Sequence, residues 1–189
     1  SKKKIKIAIV GATGYVGLDL IKFLSKHPMV KIKYLCAQKK IGKNIQLFNK
    51  KLPKKLPLIS NLKLVNWDSV DVLFCALPNG EAQLLSKKLI NKNLHIIDLS
   101  ADFRLTNTFE YKKFYGKNHK AKKLINQSIY SVSEFTKKKI NQYKIIACAG
   151  CYPTSIQLPL LPLIKKNLIN NKNIIIDSKS GYSGAGRGV

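Results

Sequence analysis

Apolar positions along the chain follow two rhythms, and their alternation predicts the elements. Ile5 to Val10 is a near-continuous apolar run of strand length, the pattern of a strand covered on both faces. Gly11-Ala-Thr-Gly-Tyr-Val-Gly17 interrupts it, and Val16, Leu20, Phe23 and Leu24 then recur at helical spacing until His27-Pro28. This predicts an amphipathic helix with those residues as its apolar stripe and the proline as its stop. A second strand is expected from Lys31 to Cys36, followed from Ile41 to Leu62 by an irregular excursion, marked by Pro53 and Pro57, with short extended pieces. Val70 to Leu77 reads as a buried strand ended by Pro78-Asn79-Gly80, and Leu84, Leu85, Leu89 and Ile90 as the helix after it. Residues 94–98 and 143–147 give two further strands, a helix follows from Pro153 to Lys166, and residues 173–177 start a new strand that runs into a glycine-rich stretch. Strands that alternate with helices and are apolar throughout imply an α/β fold: a parallel sheet with helices on both faces.

The glycine heptapeptide changes the picture from architecture to chemistry. A strand, a tight glycine turn and a helix start bring bare backbone N–H groups and the positive end of a helix dipole up to a pyrophosphate. Gly11, Thr13, Gly14, Tyr15, Val16 and Gly17 are therefore the expected cofactor cradle. Glycines at this spacing, GxxGxxG in place of the commoner GxGxxG, also serve ordinary turns; the strand before them and the helix after them favour the nucleotide reading. An unphosphorylated nicotinamide cofactor calls for an acid roughly twenty residues further on. Here Gln38-Lys39-Lys40 stands instead, which suits a ribose phosphate and favours NADP(H), with Gln38 and Lys39 as contacts; the alternative is that the lysines are merely solvated.

Composition sets bounds. At 189 residues the chain has room for one full domain and part of another. No run approaches the roughly 18 apolar residues needed to span a bilayer, so no membrane partner is expected. Ser1-Lys-Lys-Lys before an apolar stretch superficially resembles a secretory leader, but glycines and Asp19 break that stretch; a cytoplasmic protein is expected. The formal net charge of +26 raises nucleic-acid binding. The distribution argues against it, because lysines lie scattered in short runs, only Arg104 and Arg187 accompany them, and no aromatic-interleaved basic patch occurs. Such a mixture reads as a genome's compositional bias, with no nucleic-acid partner.

Four cysteines in such a chain do not suggest a disulfide framework. Cys36 and Cys75 fall in apolar strands and read as buried thiols. Cys151 follows a strand and a glycine at the front of a helix, a setting that favours thiolate. Three readings stand for it: a nucleophile, a redox pair with Cys148, or an inert thiol, the helix start favouring the first. A lone CxxC is half of a zinc site, so no metal is expected.

These motifs together resemble the N-acetyl-gamma-glutamyl-phosphate reductase family of arginine biosynthesis. The glycine turn, Ala76-Leu-Pro78, Leu99-Ser-Ala-Asp-Phe-Arg-Leu105, Gly150-Cys-Tyr-Pro-Thr154 and Ser178-Lys-Ser-Gly-Tyr-Ser-Gly-Ala-Gly-Arg187 occur in the family's order. The resemblance implies a Rossmann-type NADP-binding domain over residues 1–150 and, over 151–189, the beginning of a second, α+β catalytic and dimerisation domain. It implies NADPH-dependent reduction of an acyl phosphate to a semialdehyde with release of phosphate, Cys151 forming a thioester. Arg104 and Ser180 would then contact substrate, while Ala76, Pro78, Ser183, Gly184 and Ala185 would line the cofactor. Arg104 could instead make a structural ion pair with Asp98 or Asp102. It further implies a homo-oligomer, and a catalytic histidine beyond Val189, so that the 189 residues alone would bind cofactor without turning over. Aspartate-semialdehyde dehydrogenase, with the same chemistry, and a non-catalytic basic nucleotide- or nucleic-acid-binding module are the alternatives. Cys148-Ala149 stands where the family usually has Asn-Pro, and Asn79 where His is common.

Overall fold

A computed structural model of the chain describes residues 3–186; Arg187 and the side chain of Ala185 lie outside the described residues. Seven strands form one sheet in which every pairing is parallel: β1 (Ile5–Val10), β2 (Val30–Cys36), β3 (Ile59–Ser60), β4 (Val72–Cys75), β5 (His95–Asp98), β6 (Ser128–Ser131) and β7 (Ile145–Cys148). Their spatial order is β3-β2-β1-β4-β5-β7-β6. From β1 the chain winds outward to β2 and β3, then returns across the sheet to β4, so the order reverses between β1 and β4.

Alternation along β1 feeds both faces. Ile7 and Ile9 join Ile21, Leu35 and Ile59 in one core, whereas Ala8 and Val10 join Leu73, Leu85, Leu89 and Ile96 in the other. Helix α1 (Tyr15–Leu24) covers the first face through Leu18 and Ile21, and α2 (Glu81–Leu89) covers the second. The Rossmann-type parallel sheet with helices on both faces is thus as the apolar runs imply.

Two readings of the pattern need correcting. Val16 and Phe23, taken as part of the α1 stripe, are 49% and 67% exposed, and the buried residues are Gly17, Leu18 and Ile21. The glycine turn sets the rotation of α1, because Gly17 has to face the turn it touches, and that choice moves the stripe round the helix. Residues 173–177 form no strand; Ile175 is 94% exposed. A strand exists only through a paired neighbour, and no strand of the sheet lies beside this run. Beyond these, α3 (Thr108–Tyr115), capped by Asn107, the four-residue α4 (Ser133–Thr136) and edge strand β6 were not legible as elements. The last helix, α5 (Cys151–Lys165), buries none of its residues.

A Cβ at Gly17 would run into the Gly11 carbonyl and stand 2.8 Å from the Ala12 Cα. Gly17→Ala should therefore push α1 off β1 and lower unfolding stability by about 1–3 kcal/mol, read as a fall in the thermal midpoint. An unchanged midpoint would mean that the helix is not seated on the turn.

Candidate active site

A wholly parallel sheet places the C-terminal ends of all strands, and the helices that follow them, at one edge. Gly11 closes β1 there with φ of +85°, a left-handed conformation that favours glycine. The N–H groups of Gly11 and Ala12 both donate to the Cys36 carbonyl at 3.0 Å, stitching β1 to the end of β2, and a side chain at Gly11 would strike the Ala76 carbonyl at the end of β4. Gln38, Lys39 and Lys40 stand exposed just past β2, with Lys40 itself left-handed at φ 61°. Ala76 is half-buried beside the turn and Pro78 exposed beyond it.

Besides the four-residue α4 behind β6, three longer described helices, α1, α2 and α5, start at this edge, and their N-termini differ. At α2 the Asp102 carboxylate accepts from the backbone N–H of Gly80 at 2.7 Å and of Gln83 at 3.1 Å, so that terminus is already occupied by an anion. The other two, α1 and α5, begin on Gly14 and Gly150 with nearly identical extended caps (φ −73°, ψ 167° and φ −70°, ψ 168°) and no side-chain cap. Both offer uncovered helix N-termini of the kind that receives an external anion. A dinucleotide's pyrophosphate fits the first of these.

Asp102 is the centre of a polar network that sequence reading missed. Fully buried, it also accepts from Gln83 Nε2 at 3.1 Å and lies 3.0 Å from the Tyr111 hydroxyl, which Asn79 Oδ1 approaches at 2.8 Å. His119, 3% exposed, accepts from the Ala121 N–H through Nδ1, so its Nε2–H donates to the Asp102 carbonyl at 2.8 Å. Burial holds this imidazole below its ordinary pKa. The network ties the loop after β4 to the Ser100–Arg104 segment after β5. Its signal in the sequence was only a pair of acids, Asp98 and Asp102, in a chain of few.

The four thiols divide sharply. Burial pushes Cys36 up to about 12 and raises Cys75 well above the ordinary thiol range; Cys148, half-buried, is raised to about 11 by burial and then by the Asp98 charge. Cys151 alone is exposed, as the first residue of α5. Arg104 reaches the same place: its Nε donates to the Cys148 carbonyl at 2.8 Å and its Nη2 to the Leu99 carbonyl at 3.2 Å. Among the described residues it forms no ion pair with Asp98 or Asp102, because the main-chain carbonyls at the ends of β5 and β7 occupy its fork. Asp98 instead accepts from the Ser100 hydroxyl and N–H at 2.7 and 2.9 Å and leaves Oδ2 buried without a partner.

Ser183 and Gly184 come back to the glycine turn, sharing a cavity of about 390 Å³ with Tyr15 and Val16. Phe48 and Asn49, from the unreadable excursion after β2, also line it. Ser180 packs against Gly184, and its hydroxyl donates to the Gly181 carbonyl. No group of three His, Cys, Asp or Glu residues able to hold a metal occurs among the described residues, and none of their helices is long and apolar enough to cross a membrane.

A doubly wound parallel sheet with an open, glycine-capped helix at its switch point defines a dinucleotide-binding α/β domain. More narrowly, the chain belongs to the semialdehyde dehydrogenase family: residues 6–143 match that family's NAD binding domain and residues 151–189 its dimerisation domain. It is 44% identical over 189 residues to a probable chloroplastic N-acetyl-gamma-glutamyl-phosphate reductase of Arabidopsis thaliana, covering 100% of this chain and 47% of that one. It is likewise 44% identical over 188 residues to an N-acetyl-gamma-glutamyl-phosphate reductase of Ehrlichia ruminantium, covering 98% and 54%. The chain thus spans about half the length of the curated relatives it matches. Among solved structures, aspartate semialdehyde dehydrogenase with NADP from Candida albicans shares the fold at TM-score 0.61 and 22% identity, over 87% of this chain and 48% of that one. Aspartate semialdehyde dehydrogenase II from Vibrio cholerae does so at TM-score 0.63 and 20% identity, over 87% and 43%.

The carboxyl of Asp98 makes the edge pH-sensitive. Burial raises its pKa from 3.8 to about 6; the two Ser100 hydrogen bonds offset this in part, Asp102 adds to it and Arg104 opposes it. The folded chain therefore holds the Asp98 proton more tightly than the unfolded chain, and this residue's contribution to stability falls as pH rises from about 4 to about 6. The depressed His119 acts oppositely, its contribution being lost as pH falls below about 6.5. Comparing the chain with Asp98→Asn cancels the histidine. Chemical denaturation across pH 4–7 should show the stability difference moving in favour of the variant by on the order of 2 kcal/mol, and a constant difference would refute the raised carboxyl.

Proposed function

We propose that the whole protein reduces N-acetyl-gamma-glutamyl phosphate to the corresponding semialdehyde with NADPH, through a thioester on Cys151. The observation that carries this reading is the pair of uncapped helix N-termini at one sheet edge, one behind the glycine turn and one carrying the single exposed thiol. The division of labour is an NADP-binding domain over residues 1–150 and the start of a catalytic and dimerisation domain from Cys151 onward, and the working protein is a homo-oligomer. Four unpaired thiols suit a reducing, cytoplasmic setting.

The cofactor contacts are the backbone from Gly11 to Gly17, Ala76 and Pro78, Ser183 to Ala185, and Gln38 with Lys39 at the ribose phosphate. The exposed amide and ammonium past β2, with no acid among residues 37–40, support the phosphorylated cofactor. When bound, NADPH supplies a hydride. Cys151 Sγ attacks the acyl carbon; the C–O bond to phosphate breaks and phosphate leaves with the electron pair, giving a thioester. After hydride addition at that carbon, the C–S bond breaks, the thiolate is regenerated and the aldehyde departs. Arg104 has its Nη1 donors, and one of Nη2, to offer the departing phosphate or a carboxylate of the substrate. Ser180 is a second substrate contact by motif, although its place beside Gly184 suits the cofactor side equally. The half-buried Cys148 thiol, held above the usual range, speaks against a redox pair.

Two measurements test the proposal. In fluorescence titrations NADPH should bind more tightly than NADH, and Lys39→Ala should weaken NADPH roughly tenfold, about 1.4 kcal/mol, while leaving NADH unchanged; equal affinities would remove the phosphate contact. In the full-length protein, Cys151→Ser should abolish aldehyde formation with cofactor binding intact, whereas Cys148→Ser should keep most activity. Loss of thiol–disulfide exchange in both variants with acyl-phosphate reduction untouched would put the redox pair in its place.

A further inference from the structure

We infer that Arg104 is a positioning residue: its guanidinium straps the ends of β5 and β7 together and, seated against Gly150, sets the turn that presents Cys151. This rests on Cys151 being the reactive thiol. The strap is main-chain on both sides, Nε to the Cys148 carbonyl at 2.8 Å and Nη2 to the Leu99 carbonyl at 3.2 Å. Two adjacent nitrogens of one rigid fork thus fix the separation of two strand ends, which the single ammonium of a lysine cannot reproduce. Gly150 completes the arrangement, because a Cβ there would lie 2.9 Å from Arg104 Nη1 and 3.5 Å from its Cζ.

Gly150 needs no unusual backbone conformation, since its φ of −70° and ψ of 168° are open to any residue. A side chain there would press on the guanidinium and shift it, without straining the turn. The buried groups around the strap hold the arginine in turn. Asp98 orders Ser100 through both its hydroxyl and its N–H, and Ser100 Oγ accepts from the Asp102 N–H at 3.1 Å, so the segment leading to Arg104 is fixed from below by two acids that make no ion pair with it. The guanidinium is left beside Gly150, the residue on which α5 begins and Cys151 follows. The strap thus ties a residue of the region matched by the NAD binding domain to the end of β7, just ahead of Cys151, where the match to the dimerisation domain opens.

A double-mutant cycle on the chain tests this, with the rate of Cys151 carboxamidomethylation by iodoacetamide at fixed pH as the readout and peptide mapping to assign the site. Gly150→Ala and Arg104→Ser should each slow the reaction about tenfold, and Gly150→Ala added to Arg104→Ser should cost less than a further twofold, the clash having gone. Arg104→Lys, which keeps the charge without the fork, should recover only a minor part of the rate. Independent effects of the two substitutions, or full recovery with lysine, would overturn the strap. Should Gly150→Ala prevent folding, recovery of the folded chain in the Arg104→Ser background is the expected result, and failure in both backgrounds overturns the inference. The cycle uses neither acyl phosphate nor cofactor, so it stands or falls separately from the proposed reduction, which the Cys151→Ser assay decides.

Discussion

Parallel pairing throughout the sheet is the constraint on which the rest depends. Because every strand runs the same way, each strand end and each following helix start must meet at one edge, and the glycine turn, Arg104 and Cys151, far apart in sequence, are brought there by direction alone. Parallel strands need long crossovers, and these crossovers become the helices whose N-termini carry partial positive charge. What distinguishes one terminus from another is then only what fills it. Asp102 plugs α2, and glycine leaves α1 and α5 open.

The buried acids show what this edge costs. A carboxylate removed from water is unfavourable unless hydrogen bonds replace its hydration. Asp102 meets that condition with two N–H groups, an amide and a hydroxyl. Asp98 does not, since one oxygen has only Ser100 and the other nothing. A carboxyl retained under such conditions, next to the segment that carries Arg104, is stability given up for geometry.

Much of the sheet was legible because buried parallel strands are short apolar runs and Gly11 to Gly17 has few other uses. The core strands, α1, α2 and the helix behind Cys151 follow from that pattern. Strand β6, Ser-Ile-Tyr-Ser, was illegible for the same reason: as an edge it is only half covered and lacks the run. Residues 173–177 misled in the opposite sense, since three isoleucines in succession carry strand propensity whether or not a partner exists. At the site, single-residue chemistry could be read and relations could not. Cys151 stood out by its place behind a glycine, but nothing local announces that His119, in a lysine-rich loop, is buried against Phe103 and Tyr111, or that Arg104 holds carbonyls and not acids.

The lysine excess bears on how such a site can be selective. With 35 basic residues against 9 acidic ones, anions are drawn to the whole surface, so attraction by itself distinguishes nothing. Charge on a mobile, hydrated ammonium is also screened within about 8–10 Å at physiological salt. The groups that can discriminate are those with fixed direction: N–H groups at the two open helix starts and the one described guanidinium, held at two points by backbone. In a chain so biased toward lysine, Arg104 therefore stands where a fixed orientation is the requirement.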